Sequence, residues 1–160
     1  MWDVRLEVLR RTLAFSHHQL ASYIESSPMP SEEELYQEHI LDHYEDPFHR
    51  GALGGATHAH EDKNPLCGDV VRIELKLADD GKIEDAYFTG EGCVISQASA
   101  SMLLEELYGK TVDDVKDFSA EKMLELYGPR LTPNRQKCCL LSWKVLQSAV
   151  HSPQAEGNEP

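Results

Sequence analysis

Basic residues are scarce in this chain: 15 Lys and Arg stand against 28 Asp and Glu, leaving a net charge of -13 over 160 residues. Non-specific nucleic-acid binding needs cations that displace counterions from phosphates, so this balance argues against that class. It favours partners with basic surfaces instead. Long apolar runs are also missing. No stretch approaches the roughly 18 consecutive apolar residues of a membrane span, so the expectation is a cytoplasmic chain without a membrane partner. The first residues do not read as a secretory signal. Cysteines are few, Cys67, Cys93, Cys138 and Cys139, and two of them are adjacent, which makes an ordinary two-disulfide framework awkward. In a reducing compartment such cysteines are more often ligands or nucleophiles than bridges. There is no C-x-x-C knuckle and no internal repeat, so spacing alone leaves metal ligation and simple buried thiols both open.

What is present reads as one domain with two appendages. Residues 1–30 form an extension, with Trp2, Val4, Leu6, Val8, Leu9, Leu13 and Phe15 spaced for an amphipathic helix and Ser26-Ser27-Pro28-Met29-Pro30 as a linker. Met29 offers an alternative initiator. Residues 31–151 form the domain, and 152–160 a flexible polar tail. Ser31-Glu32-Glu33-Glu34 resembles a capping box. It opens a helix whose apolar face is Leu35, Ile40, Leu41 and Tyr44 and which Asp46-Pro47 stops. From Val70 the period becomes two, with Val71, Ile73, Leu75 and Leu77 on one face. Asp79-Asp80-Gly81-Lys82 is a turn, and Ile83 to Thr89 returns as a strand with an irregularity near Glu84-Asp85. Thr57 to His60 is a candidate third strand. Helices are expected over Val94–Tyr108, Ser119–Tyr127 and Cys138–Val150, with Gly109 as a C-cap and Pro133 in a loop. This order predicts an α+β fold, a small antiparallel sheet with helices packed on one side.

Three cysteines fall at element boundaries. Cys67 precedes a strand within NPLCGD, Cys93 precedes a helix within GEGC, and Cys138 is placed at a helix start. Helix N-termini favour the thiolate, the form that ligates metals and attacks sulfur. Asp69 can add an oxygen to the same centre. Three thiolates and a carboxylate complete a tetrahedral zinc site, and the same sulfur set suits iron and iron–sulfur clusters. Other groups have plainer readings. Cys139 lines up with Trp143, Leu146 and Val150 as core. His58 and His60, like His43 and His49, are surface or strand histidines by default, with a second metal site as the alternative. Arg135 and Lys137 are either solvated charges or contacts to a partner or anion.

The flanking residues carry a resemblance. NPLCGD, GEGCVISQASAS from Gly90 to Ser101, and RQKCCLLSWKVL from Arg135 to Leu146 resemble the SufU/IscU/NifU N-terminal family of iron–sulfur cluster assembly proteins. Glu34-Leu35-Tyr36 through Asp46-Pro47 is similar to that family's opening helix. The resemblance covers residues 31–150 and implies Cys67, Asp69, Cys93 and Cys138 as metal or cluster ligands. Lys137 stands where the IscU branch carries a histidine, and Leu131-Thr132-Pro133-Asn134-Arg135 where that branch carries its chaperone-recognition segment. Both departures are similar to the SufU branch, whereas the interval from Cys93 to Cys138 lacks the insertion of many SufU proteins. The resemblance therefore implies one of two activities. A SufU-like protein binds Zn2+ and accepts persulfide sulfur from a cysteine desulfurase, with Cys67 as acceptor. An IscU-like scaffold builds a cluster on Cys67, Cys93 and Cys138 and passes it to downstream carrier proteins. A structural zinc module is a third reading, disfavoured because such sites rarely use Asp.

Overall fold

The computed structural model describes residues 31–151; the amphipathic segment expected in residues 1–30 and the tail beyond 151 lie outside the described residues. Three strands, β1 (His58–Lys63), β2 (Val70–Leu77) and β3 (Ile83–Glu91), form an antiparallel sheet in the order β1-β2-β3. The two-residue period explains the burial. Val71, Ile73 and Leu75 of β2, Ala59 of β1, and Ala86 and Phe88 of β3 face inward, while Arg72 and Glu74 form an ion pair on the opposite face. The turn at Gly81 takes φ +80, which costs glycine little. The irregularity expected near Glu84 is a bulge: Lys76 pairs with Asp85 and Leu77 with Ile83, leaving Glu84 as the extra residue.

Helices cover the inner face. α2 (Val94–Leu107) is buried along most of its length, because Ser96, Ala98, Ser99, Ala100 and Ser101 let neighbouring backbones approach while Leu103, Leu104 and Leu107 fill the core. After two short helices, α3 (Val112–Lys116) and α4 (Ala120–Tyr127), α5 (Pro133–His151) runs against α2, β1 and β2. Its Trp143 indole donates to the Phe118 carbonyl (2.8 Å) and Gln147 donates to the Val115 carbonyl (2.6 Å), fixing the α3–α4 connection. Among the described residues the first helix, α1 (Glu32–Glu45), precedes the sheet.

Three expectations are corrected. α3 was not expected; its signal was a capping box, Thr111 with Asp114, whose Asp in place of the usual Glu made it easy to miss. α5 begins at Pro133, not near Cys138, so Pro133 opens a helix instead of marking a loop. Proline suits a first helical position, where its missing N–H costs nothing. The apolar face assigned to α1 is largely exposed: Leu35, Leu41 and Tyr44 face outward, and Ile40 is buried together with His43. His43 replaces an apolar residue in that stripe because its Nδ1 lies 2.8 Å from the buried Ser101 hydroxyl of α2. Burial, then the neighbouring His39, lowers the pKa of His43 below its ordinary value.

Phe88 of β3 is fully buried on the inner face of the sheet, opposite Ile73 of β2. Phe88→Ala is expected to lower unfolding free energy by about 3–5 kcal/mol, measured by urea denaturation.

Candidate metal centre

The segment Asn64 to Asp69 closes on itself between β1 and β2. Asn64 N–H donates to the Asp69 carbonyl (2.8 Å), Gly68 N–H to the Asn64 carbonyl (2.8 Å), and Leu66 N–H to Asn64 Oδ1 (3.1 Å). Gly68 takes φ +77, the left-handed turn that lets Cys67 and Asp69 lie on one side. Pairing of Val70 with Glu91 then brings this loop beside Gly92 and Cys93, which leads into α2 as its N-cap. Cys138, in the second turn of α5, approaches from the other side.

The sulfurs and the carboxylate meet. Cys67 Sγ lies 3.6 Å from Cys138 Sγ. The Cys93 thiol donates to Asp69 Oδ2 (3.2 Å) and its N–H to Asp69 Oδ1 (3.3 Å). Donor atoms of Cys67, Asp69 and Cys138 all lie within 4.8 Å of one another, and Cys93 joins them through Asp69. Zn–S bonds of about 2.3 Å and Zn–O bonds of about 2.1 Å in a tetrahedron require S···S near 3.8 Å and S···O near 3.6 Å. The 3.6 Å between the Cys67 and Cys138 sulfurs is close to that spacing, and the 3.2 Å between Cys93 Sγ and Asp69 Oδ2 is shorter than it. Gly92 completes the fit: a Cβ there would stand 2.6 Å from both Asp69 Cγ and Ser96 Oγ.

Electrostatics distinguish the groups. Burial works to raise the Asp69 pKa, but hydrogen bonds from Cys93, Cys67 and Ser96 outweigh it and hold the carboxyl below its usual range. Burial, then the adjacent Cys67 thiol, pushes Cys138 up to about 12. That corrects the expectation of a helix-start thiolate at Cys138. The dipole acts within the first turn, whereas Cys138 sits one turn in among crowded thiols. A divalent cation reverses that crowding, because it ionises the thiols that coordinate it. Cys139 is fully buried, as the core reading expected, and burial pushes its pKa to about 11.

A family model for the NifU-like N terminal domain matches residues 35–158. The chain belongs to the NifU-like N-terminal family. Its curated relatives include an iron–sulfur cluster assembly scaffold protein, IscU, of Thermotoga maritima, 39% identical over 132 residues that cover 72% of this chain and 92% of that one. The zinc-dependent sulfurtransferase SufU of Bacillus subtilis is 37% identical over 133 residues, covering 72% and 89%. Among solved structures, a cluster assembly scaffold protein assigned to the SUF system of Fervidobacterium islandicum AW-1 superposes with a TM-score of 0.62 at 34% identity, covering 75% of this chain and 99% of that one. The α+β fold is that of these NifU-like relatives.

The histidines stand apart from the cysteines. His58 and His60 lie on β1, with His58 Nδ1 3.0 Å from the Thr57 hydroxyl. His49 stacks between Phe48 and Tyr87. Lys137 is exposed and, with Lys63, Asn64, Trp143 and Lys144, lines a cavity of about 330 Å³ next to the centre. Sequence reasoning missed the structural parts of Asn64, Gly92 and Ser96. Asn64 is buried and its amide points at Cys138 Sγ (3.7 Å); Ser96 donates to the Cys93 carbonyl (3.1 Å). Their signals were present, as a turn-forming Asn before Pro65 and a hydroxyl three residues into a helix, but neither says which side chain it will meet.

Gly92→Ala is expected to weaken zinc binding at least tenfold while the domain stays folded, read by competition with a chelator and by circular dichroism. In metal-free protein at pH 8, iodoacetamide should label Cys67 readily, Cys138 slowly and Cys139 last. Raised pKa values keep both Cys138 and Cys139 protonated and slow at this pH, and the complete burial of Cys139 also denies the reagent access; mass spectrometry of the alkylated peptides gives the order.

Proposed function

We propose that this NifU-like chain acts in iron–sulfur cluster assembly as a zinc-bound sulfur acceptor that takes persulfide sulfur from a cysteine desulfurase. The ligands are Cys67, Asp69, Cys93 and Cys138, and Zn2+ held there would keep the thiolates ionised and in place. The observation that carries this reading is the double character of Cys67. It is exposed at a loop tip, yet its sulfur lies 3.6 Å from the buried Cys138. A thiol so placed is both held in the cluster and open to a partner.

In the transfer step, the Cys67 thiolate attacks the outer sulfur of the desulfurase persulfide. A new S–S bond forms on Cys67, the old one breaks, and the partner cysteine leaves as thiolate. No external oxidant or reductant is needed. Asp69 remains ionised while this occurs and accepts the Cys93 N–H, which holds the two loops together. Lys137, beside Cys138, carries a fixed ammonium suited to an anionic persulfide and poor as a metal ligand. Downstream carrier proteins would consume the sulfur.

The IscU-like scaffold is the second reading, favoured by the similarity to the Thermotoga IscU protein. Protein purified without oxygen separates the two: colourless with stoichiometric zinc for the relay, brown with iron and sulfide for the scaffold. For the relay, Cys67→Ala is expected to abolish stimulation of a cysteine desulfurase, measured as alanine released from cysteine; stimulation that persists in this variant refutes Cys67 as acceptor.

A further inference from the structure

A second cavity, of about 450 Å³, opens between α1 and α2 and has the opposite character to the thiol centre. It is lined by His39, Asp42, His43, Glu45, Asp46 and Glu105, two imidazoles and four carboxylates. Among the described residues, no Lys or Arg contributes to its lining. We propose that His39 and His43 of α1, with Glu105 of α2, form a second divalent-cation site of imidazole–carboxylate type, suited to zinc and independent of the cysteines.

The geometry is that of a helical ligand pair. Residues four apart share one face of a helix, and the His39 and His43 rings lie 4.6 Å apart. His43 is the anchored member. Its ring is buried, with Nδ1 held 2.8 Å from Ser101 Oγ and Nε2 3.4 Å from Glu105 Oε2. Ser101 Oγ also accepts the Phe48 N–H (2.8 Å), so the hydroxyl is fixed from both sides. An ion taken up at Nε2 would select the tautomer whose Nδ1–H donates to Ser101 Oγ, the outer hydrogen bond that commonly orients a metal-binding histidine. His39 and Glu105 are exposed, so their side chains are free to rotate onto an ion that His43 locates. Asp42 and Asp46 add negative charge around it.

The donor chemistry selects the cation class. Two imidazole nitrogens disfavour magnesium and calcium, which prefer all-oxygen shells. They suit zinc and its borderline neighbours, without the thiolates that select softer ions. The structural consequence concerns α1. That helix buries Ile40 and His43 but leaves Leu35, Tyr36, Leu41 and Tyr44 exposed. An ion bridging His39 and His43 to Glu105 staples it to α2 and fixes how those apolar residues are presented.

The test is zinc titration of the full-length reduced protein, with bound metal counted after removal of excess. Wild type and Cys67→Ser, His39→Ala and Glu105→Gln variants are compared. His39→Ala is expected to bind one equivalent fewer than wild type, whatever the thiol centre holds, and Glu105→Gln to weaken that equivalent at least tenfold. Cys67→Ser should leave it intact, so loss of metal in that variant alone reports on the thiol centre. Equal zinc content in wild type and His39→Ala overturns the site. Both histidine and glutamate are exposed, so their replacement leaves the core unchanged. Amide hydrogen exchange gives a second readout: zinc should slow exchange along α1 in wild type and not in His39→Ala, and identical responses overturn the staple.

Discussion

The pairing of Val70 with Glu91 at the end of the β2–β3 ladder is the contact on which the rest of the centre depends. The Cys67 loop enters β2 at this point and the Gly92-Cys93 turn leaves β3 at the same point. Backbone hydrogen bonds therefore place two sequence-distant loops side by side before any side chain is considered. Asp69 then locks them, accepting both the N–H and the thiol of Cys93. A carboxylate buried there without those donors would carry a large desolvation cost. With them it is stabilised in the ionised form.

Two helices convert this pair of loops into a centre. α2 begins at Cys93 and is made of small residues near its start, so Ser96 and Gly92 fit closely around Asp69. α5 crosses α2 and the sheet, and its early start at Pro133 carries Cys138 into the interior, opposite Cys67. The resulting site is graded from outside to inside: Cys67 is exposed, Cys138 is buried, and Cys139 is wholly within the core. That gradient gives chemically identical side chains different tasks, because it sets which sulfur a partner can reach, while burial disfavours the thiolate at both Cys138 and Cys139. Toward the C-terminal half of the same helix, Ser101 and Glu105 border the imidazole–carboxylate cavity.

The strands were legible because Val71, Ile73 and Leu75 keep a strict period of two, and that period survives in the burial of the sheet. Two of the three cysteine motifs were legible because Pro65 and Gly68 beside Cys67, and Gly90 and Gly92 beside Cys93, mark turns; the third was legible only as the family-like run RQKCCLLSWKVL, since Cys138 lies inside a helix. α3 was not legible, being short and stabilised by a single Asp114 cap. The start of α5 was misread because proline commonly breaks helices and only its position in a first turn makes it acceptable. The exposed stripe of α1 was misread because periodicity reports an apolar face without reporting what covers it.

The sequence by itself determined that Cys67, Asp69, Cys93 and Cys138 stand in the three motifs that carry the family resemblance, and that the chain alternates between a half-buried sheet and helices. These are properties of local chemistry: turn residues, period and thiol placement. Only the tertiary structure decided which thiol is reachable, how Asn64, Gly92 and Ser96 pack around the thiols and Asp69, and that His39, His43 and Glu105 line one cavity. Those depend on strand register, on the packing of α2 against α5 and on the contacts of His43 with Ser101 and Glu105, distances set between residues far apart in the chain.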